Sequence, residues 1–269
     1  MSSRVGLLGY GEVGRIVAHA LATHAVVQVF DPAYPPTKTS GMSLLGSAGE
    51  AVTGADVVLA VTPGRNSIEA AQQAAPDLAP GALYVDLSTS DPAGKREVSQ
   101  IVADAGSVMA DGAIMAPITL RGFRTPVIAS GAGADRFAQV ASAWGMDVTS
   151  IDGSAGDAAA RKLLRSVVVK GLSALVIESL RAAERAGVQE WFGEHLLETI
   201  TEADDDFLIR LLTGAGNHSI RRQHEMQAAA AMLADLGVDP TMTRATSDVL
   251  ATVDGQGVPA LPRRQGGRP

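Results

Sequence analysis

The sequence predicts an α/β protein, with a doubly wound, mainly parallel sheet followed by an all-helical region. Up to about residue 150, short β-branched runs alternate with longer amphipathic stretches, which is typical of strand–helix–strand units. After about residue 152 the strand pattern stops and helical periodicity continues. The change in pattern therefore predicts two domains of different architecture.

Seven runs in the first part are predicted strands: RVGLL, VVQVF, ADVVLAV, ALYVDLS, SVMADGAI, TPVIASG and MDVTSI. Amphipathic stretches such as VGRIVAHALATHA and GKREVSQIVADAG lie between several of them. In the second part, residues 154–187 are predicted to form one long interdomain helix, with Gly187 as its C-terminal cap. Further helices are expected near 189–200, 203–213 and 217–236, with the acidic run EADDD at a helix start, where the helix dipole favours negative charge.

These patterns divide the chain into three parts. Residues 1–152 form the predicted sheet domain, residues 153–254 the helical substrate and dimerisation domain, and residues 255–269 a disordered tail rich in Gly, Pro and Arg. The net charge of −7 argues against a nucleic-acid partner. The lack of cysteine excludes disulfides and thiolate chemistry, and no apolar run is long enough to span a membrane. We expect a cytoplasmic protein.

The segment RVGLLGYGEVGRIVAHAL places three glycines in G-x-G-x-x-G spacing between a strand and a helix. That context predicts a dinucleotide-binding loop. Gly9 allows the tight turn, Gly11 lets the backbone approach a pyrophosphate, and Gly14 allows close packing of helix on sheet. Tyr10, Glu12 and Val13 belong to the same predicted cofactor-binding loop.

Asp31 ends the second predicted strand, 20 residues after Gly11. An acid there can accept hydrogen bonds from the adenosine ribose and repels a 2′-phosphate, so NAD is favoured over NADP. Lys38, with Thr37, Thr39 and Ser40, offers an alternative phosphate pocket, and NADP therefore stays open.

On these residues the chain resembles the β-hydroxyacid dehydrogenase superfamily, which includes 3-hydroxyisobutyrate and 6-phosphogluconate dehydrogenases. GLLGYGEVG is similar to the dinucleotide signature of that superfamily, and Val61, Thr62 and Pro63 resemble its segment beside the nicotinamide. VDLSTSDP resembles its Val-Asp-x-Ser-Thr stretch, which places Ser88 near the nicotinamide and Thr89 near the substrate; a helix-capping turn is the structural alternative. The resemblance implies a Rossmann domain that binds NAD or NADP, with the nicotinamide rather than a metal carrying the chemistry.

Two segments depart from the superfamily pattern. Where its substrate loop reads Asp-Ala-Pro-Val-Ser-Gly-Gly, this chain reads DGAIMAPIT. Alignment on Asp111 puts Met115 at the serine position, whereas alignment on Ala116 and Pro117 puts Thr119 there. In the interdomain helix the resemblance implies a catalytic lysine followed four residues later by asparagine.

In this chain Lys162 takes the position of that catalytic lysine, and Ser166 stands where asparagine is expected. Lysine is scarce in a chain that prefers arginine, and Lys162 and Lys170 are two of its four lysines, the others being Lys38 and Lys95. Lys162, Ser166 and Lys170 follow i, i+4, i+8 spacing and so share one helix face.

Lysine can lose its proton when desolvated, whereas arginine keeps it. We therefore expect Lys162 to be the acid and base of a hydride transfer and, with burial by its apolar neighbours, to have a lowered pKa. Lys170 is expected to hold an anionic group of the substrate. Two lysines snorkelling from an amphipathic helix are the structural alternative.

His218, Arg221, Arg222 and Glu225 share a face of a later helix. His218 and Arg222 are candidates to close over a small anionic substrate; a solvated or dimer-facing polar stripe is the alternative. The long helix is apolar on more than one face, which predicts a homodimer packed through the C-terminal helices. No histidine spacing indicates a metal site.

Together these features predict an NAD(P)-dependent oxidoreductase acting on a small hydroxy acid or keto acid. Two alternatives stay open. An imine reductase shares the architecture, although such enzymes usually replace the lysine. A non-catalytic NAD-binding sensor or assembly protein would keep the cofactor loop without turnover.

Overall fold

The strand runs of the first part form one sheet in the computed structural model, which describes residues 4–39 and 41–262. Among these residues nine strands are present: β1 (Arg4–Leu8), β2 (Val26–Phe30), β3 (Thr37–Thr39), β4 (Met42–Leu44), β5 (Val57–Ala60), β6 (Leu83–Asp86), β7 (Val108–Ile114), β8 (Val127–Ser130) and β9 (Val148–Ser150). They lie in the order β3-β4-β2-β1-β5-β6-β7-β8-β9. The pairs β3–β4 and β7–β8 are antiparallel and the others are parallel. The predicted doubly wound sheet is confirmed.

Six helices accompany the sheet in the described part of the first region: α1 (Glu12–Leu21), α2 (Ala48–Val52), α3 (Ser67–Ala74), α4 (Pro92–Asp104), α5 (Ile118–Arg121) and α6 (Ala134–Ala143). The central strands β1, β5 and β6 are buried on both faces apart from exposed Arg4, because helices cover both sides of the sheet. β1 and β5 are neighbours, yet the chain leaves them in opposite directions along the sheet. This switch point opens a crevice at the carboxyl ends of the strands.

The second region is helical over its described residues, as predicted. It consists of the remainder of α7 (Asp157–Arg185), followed by α8 (Gln189–Thr201), α9 (Asp205–Asn217), α10 (Ser219–Asp235) and α11 (Thr241–Gln256). Gly187 follows α7 with φ +73°, the left-handed conformation that glycine adopts at helix ends. Asp204 caps α9 by accepting a hydrogen bond from the Phe207 amide, so the acidic run has the expected role at a helix start.

The chain divides into two compact units, Met1–Ser166 and Val167–Pro269. The boundary falls inside α7, rather than between residues 152 and 153, because the first turn of that helix is hydrogen-bonded to the sheet. At the other end, α11 continues to Gln256, two residues beyond the predicted helical domain. Residues 258–261 line a groove with α9, and the rest of the predicted tail, 263–269, lies outside the described residues.

The elements not predicted from the sequence include the short strands β3 and β4, the short helices α2 and α5, and the last helix, α11. None of the described helices has the length and apolar character of a membrane span.

Candidate functional site

The loop after β1 has the backbone geometry that its glycines predict. Gly9 has φ +102°, and its amide donates to the Phe30 carbonyl at 2.8 Å. A methyl group added to Gly14 would lie 2.1 Å from the Gly9 carbonyl oxygen, so the close approach of α1 to the loop requires glycine. No atom lies within 4 Å of the position that a Gly11 Cβ would take. The backbone at Gly11 is therefore open to a ligand.

A cavity of about 580 Å³ lies over this loop. Its lining includes four predicted residues of the loop, namely Gly9, Gly11, Glu12 and Val13. It also includes four predicted residues at strand ends, namely Asp31, Val61, Thr62 and Pro63. The volume falls within the range of about 300–1,000 Å³ that small-molecule sites occupy.

Asp31 is held in place by two backbone amides. Its carboxylate accepts hydrogen bonds from the Tyr10 amide at 2.6 Å and from the Ala33 amide at 2.9 Å. A carboxylate can accept about four hydrogen bonds, so Asp31 keeps the capacity to bind ribose hydroxyls. The ring of Tyr10 packs edge-on against that of Tyr34, with centroids 5.3 Å apart.

The cavity is acidic. Glu12, Asp31 and Glu69 line it, and the described lining residues include neither Lys nor Arg. The described residues of the alternative phosphate pocket do not line the cavity. Thr37 and Thr39 donate their hydroxyls to backbone carbonyls of Pro35 and Met42, Lys38 is outside the lining, and Ser40 lies outside the described residues.

Two buried hydroxyls stand at neighbouring strand ends on the far side of β1 from Asp31. Thr62 Oγ1 follows β5, Ser88 Oγ follows β6, and neither has a hydrogen-bond partner among the described residues. An unsatisfied buried hydroxyl is costly unless a ligand or water completes it. Both hydroxyls are therefore available to a polar group of a ligand bound at these strand ends.

The side chain of Lys162, on α7, reaches the segment that follows β6. Its Nζ donates a hydrogen bond to Thr89 Oγ1 at 2.8 Å. The Thr89 carbonyl in turn packs against Gly64, where an added Cβ would lie 1.9 Å from that oxygen. Gly64 directly follows Pro63, which lines the cavity. A chain of contacts therefore joins the Lys162 ammonium to the edge of the dinucleotide cavity.

Burial of Lys162 is incomplete in the single chain. The side chain is half-buried, and the apolar residues expected to desolvate it are largely exposed, with 70% for Leu164 and 71% for Val167. Ser166, one turn further along α7, is also partly buried. Lys170 belongs to the second unit and is exposed.

The predicted substrate loop leaves the sheet at the end of β7. The Met115 amide donates to the Pro126 carbonyl at 2.8 Å, which fixes Met115 at the strand end. Thr119 lies on the short helix α5 and is exposed. Both residues are on the sheet edge that carries Thr89, because β6 and β7 are parallel neighbours.

The polar face of α10 lies in the second unit. Arg221 and Glu225 form an exposed ion pair with each other. Arg222 packs over Gly214 of α9 and donates to the Leu211 carbonyl at 3.5 Å. His218 is exposed at the junction of α9 and α10. These contacts give Arg221, Arg222 and Glu225 structural partners within their own unit.

A buried ionic cluster beneath the sheet edge was missed. Lys95 of α4 is 0% exposed, and its Nζ lies 3.1 Å from an Asp86 carboxylate oxygen and 3.3 Å from one of Asp111. It also donates to the Asp86 carbonyl at 2.7 Å. Burial, and then the charge of Asp86, raise the pKa of the nearby Tyr84 hydroxyl well above its usual value.

The sequence did contain a signal for this cluster. Lys95, Val98 and Val102 are the buried face of α4, at i, i+3 and i+7, so a lysine occupies a core position of an amphipathic helix. Asp86 and Asp111 likewise interrupt two apolar strands. Across residues 4–39 and 41–262 there is no group of three or more His, Asp or Glu side chains arranged to hold a metal ion.

The glycine loop, the cavity over it and the acid at the end of β2 define a protein that binds a dinucleotide through a Rossmann domain. Residues 4–116 match the family described as the NAD binding domain of 6-phosphogluconate dehydrogenase. Residues 4–116 are thus similar to a nicotinamide-dinucleotide-binding domain, and the resemblance predicted from the sequence is confirmed. Residues 183–253 match a family described as a domain of unknown function.

Individual relatives agree with this assignment. An uncharacterised 28.5 kDa protein of Methanothermus fervidus is 23% identical over 256 residues, which cover 93% of this chain and 99% of that protein. A conserved protein of unknown function, described as structurally similar to 3-hydroxyacid dehydrogenases, is 28% identical with a TM-score of 0.60, over 95% of this chain and 100% of that one.

An imine reductase from Myxococcus stipitatus, solved in complex with NAD+, is 18% identical with a TM-score of 0.76, over 96% of each chain. At this identity the likeness shows a shared fold.

Proposed function

We propose that this protein is a nicotinamide-dependent oxidoreductase that interconverts a small hydroxy acid and its keto acid, with Lys162 as the proton donor and acceptor. The observation that carries the proposal is the Lys162–Thr89 hydrogen bond of 2.8 Å. This hydrogen bond supports the proposal because Thr89 lies after β6 and its carbonyl packs against Gly64, next to Pro63 of the cavity lining.

The nicotinamide, when bound, supplies or accepts the hydride. The chain's own residues have two remaining tasks. The open backbone at Gly11 and the carboxylate of Asp31 hold the dinucleotide. Lys162 takes the hydroxyl proton during oxidation and returns a proton to the carbonyl oxygen during reduction. Thr89 orients the Lys162 ammonium. Arginine could not replace Lys162, because a guanidinium keeps its proton.

We propose NAD as the preferred cofactor. Three carboxylates line the cavity, and Asp31 lies where a 2′-phosphate would add further negative charge. At an effective dielectric of about 20, two unit charges 4 Å apart interact by about 4 kcal/mol. Repulsion of this kind disfavours NADP even after screening by salt.

We also propose that the protein acts as a homodimer through its C-terminal helices, on a small anionic substrate. The described helices α8 and α9 have no buried residue, and several large apolar side chains on them are exposed. A second copy would cover these side chains and those that flank Lys162.

A substrate screen tests the reaction class. Purified protein is incubated with a panel of hydroxy acids and NAD or NADP, and NADH or NADPH formation is followed by absorbance. Cyclic imines with the reduced cofactors form a second panel. Turnover of a hydroxy acid with NAD supports the proposal. Turnover of imines alone would make the protein an imine reductase, and tight NADH binding without any turnover would make it a sensor.

A further inference from the structure

Lys95 is a fully buried charged residue of the first unit that the proposed reaction does not use. A lysine with no exposed surface is stable only when its charge is neutralised and its donors are satisfied. Its Nζ donates a hydrogen bond to the Asp86 carbonyl at 2.7 Å and forms ion pairs with the Asp86 carboxylate at 3.1 Å and the Asp111 carboxylate at 3.3 Å.

One cation between two carboxylates leaves an excess negative charge, and the structure shows where it is compensated. The other oxygen of Asp111 accepts hydrogen bonds from the Gly156 and Ala159 amides, each at 3.0 Å. These amides belong to the N-terminus of α7, the positive end of that helix dipole. Ser130 also links Asp111 to the start of α7. Its hydroxyl donates to Asp111 at 3.3 Å and accepts from the Ala158 amide at 3.0 Å.

The second carboxylate fixes a different segment. Asp86 accepts the amide of Ser88 at 2.9 Å, on the turn that leads to Thr89. The Asp111 contacts end at Ala159, three residues before Lys162. Asp86 thus anchors the chain one residue before Thr89, and Asp111 anchors it three residues before Lys162. Lys95 forms an ion pair with both carboxylates.

We propose that Lys95 is a positioning residue: by clamping Asp86 and Asp111 together, it fixes the distance between the Lys162 ammonium and Thr89. An effect of Lys95 on turnover rests on the proposed function of Lys162, whereas its effect on the Lys162–Thr89 distance does not. A purely structural lysine would support folding without setting the environment of Lys162.

The scarcity of lysine makes a direct measurement practical. Protein labelled with ¹³C,¹⁵N-lysine has four side-chain signals, from Lys38, Lys95, Lys162 and Lys170. The Nζ signal of Lys162 is assigned by its loss in Lys162→Arg. Thr89→Val, which removes the hydroxyl acceptor, defines the signal position of a Lys162 released from Thr89.

Three variants then test the proposal. Lys95→Met keeps an unbranched side chain and removes the charge, and Ser130→Ala removes one hydroxyl from the network while leaving all charges. Lys38→Met is the matched control, since Lys38 lies on the exposed strand β3. We expect the Lys162 signal to move toward the Thr89→Val position in Lys95→Met, to move less in the same direction in Ser130→Ala, and to stay in place in Lys38→Met.

An unchanged Lys162 signal in folded Lys95→Met overturns the proposal. If Lys95→Met does not fold, an unchanged Lys162 signal in Ser130→Ala overturns the proposal instead. The proposed function can fail separately: if the native protein has no turnover while the signal moves as expected, the positioning stands and the reaction does not. With a substrate in hand, Lys95→Met should lower kcat at least tenfold and leave NADH affinity within twofold.

Discussion

The two glycines that shape the cofactor loop differ in what surrounds them. A Cβ at Gly14 meets the Gly9 carbonyl oxygen at 2.1 Å, whereas a Cβ at Gly11 meets no atom within 4 Å. Gly11 also has φ −70°, which alanine adopts without strain. An added methyl group at Gly14 should therefore lower the stability of the fold. At Gly11 it should weaken cofactor binding, if the pyrophosphate approaches that backbone.

We predict that Gly11→Ala keeps the thermal stability of the native protein and weakens NADH binding at least tenfold. Gly14→Ala should lose about 2 kcal/mol or more of unfolding free energy, as overpacked sites do. Calorimetry and fluorescence titration with NADH measure the two effects. Unchanged NADH affinity in Gly11→Ala would mean that the pyrophosphate does not approach this backbone.

Asp31 should determine the choice of cofactor. Fluorescence titration of the native protein is expected to show tighter binding of NADH than of NADPH. Asp31→Asn keeps a similar shape and an oxygen acceptor but removes the charge, so it should reduce that preference. Glu50→Gln is the control, because Glu50 does not line the cavity. A native preference for NADPH would contradict this assignment.

At the residue scale, the sequence predicted the glycine loop fully because each glycine has a local reason that spacing reveals. The scarcity of lysine was harder to interpret. It directed attention to Lys162 and Lys170, yet the lysine with no exposed surface is Lys95. Its partner Asp86 is nine residues away in the sequence, but Asp111 lies on another strand, and the pairing of β6 with β7 brings the two carboxylates together.

At the element scale, Glu178 connects α7 to the start of α11. Its carboxylate accepts the amides of Met242 and Thr243 at 2.7 and 2.8 Å, and the Thr243 hydroxyl at 2.6 Å. Burial alone would raise the pKa of Glu178, but the hydrogen bonds from Thr243 and Met242 outweigh it and hold the pKa below its usual value. Glu178 therefore caps α11 in its ionised form.

We predict that Glu178→Gln lowers the unfolding free energy by about 0.5–2 kcal/mol at neutral pH, the usual cost of a lost cap. A lowered folded-state pKa gives stability that is present above the unfolded pKa and lost as the pH falls through the folded pKa. The difference between native and variant should therefore shrink on acidification below about pH 4. Denaturant titrations at several pH values measure it, with exposed Glu184→Gln as control. A difference that is constant with pH would contradict the capping role.

The missed elements have physical explanations. β3 and β4 are three residues each: Thr37–Thr39 is fully exposed, and the apolar alternation of Met42–Leu44 is too short to indicate a strand. α11 contains many Thr, Ser, Asp and Val residues, which favour helix weakly. Tertiary contacts, including the Glu178 cap, outweigh that preference. The long strands and α7 were predictable because their patterns extend over many residues.

At the scale of the whole molecule, the first unit has a large core and the second has little. The buried cluster of the second unit contains Ala182, Leu233 and Val238. Leu197 is 70% exposed and Trp191 65%, both on α8. Large apolar side chains with this degree of exposure are typical of an interface.

We predict a dimer in solution, with a light-scattering mass near twice the 27.6 kDa of the chain. Leu197→Asp should shift the protein toward monomer by placing a charge in the apolar surface, whereas Glu194→Gln on the same helix should not. A native mass equal to one chain at micromolar concentration would contradict the proposed interface.

The central claim is that Lys162 transfers the proton, and steady-state kinetics of its variants on an identified substrate test it most directly. Lys162→Ala should lower kcat by about 10²–10⁴-fold, the usual contribution of a general acid or base. NADH affinity should be nearly unchanged, because the glycine loop and Asp31 hold the cofactor. Lys162→Arg should restore little activity, since arginine carries charge but does not cycle a proton. Near-native turnover by Lys162→Ala would contradict the account.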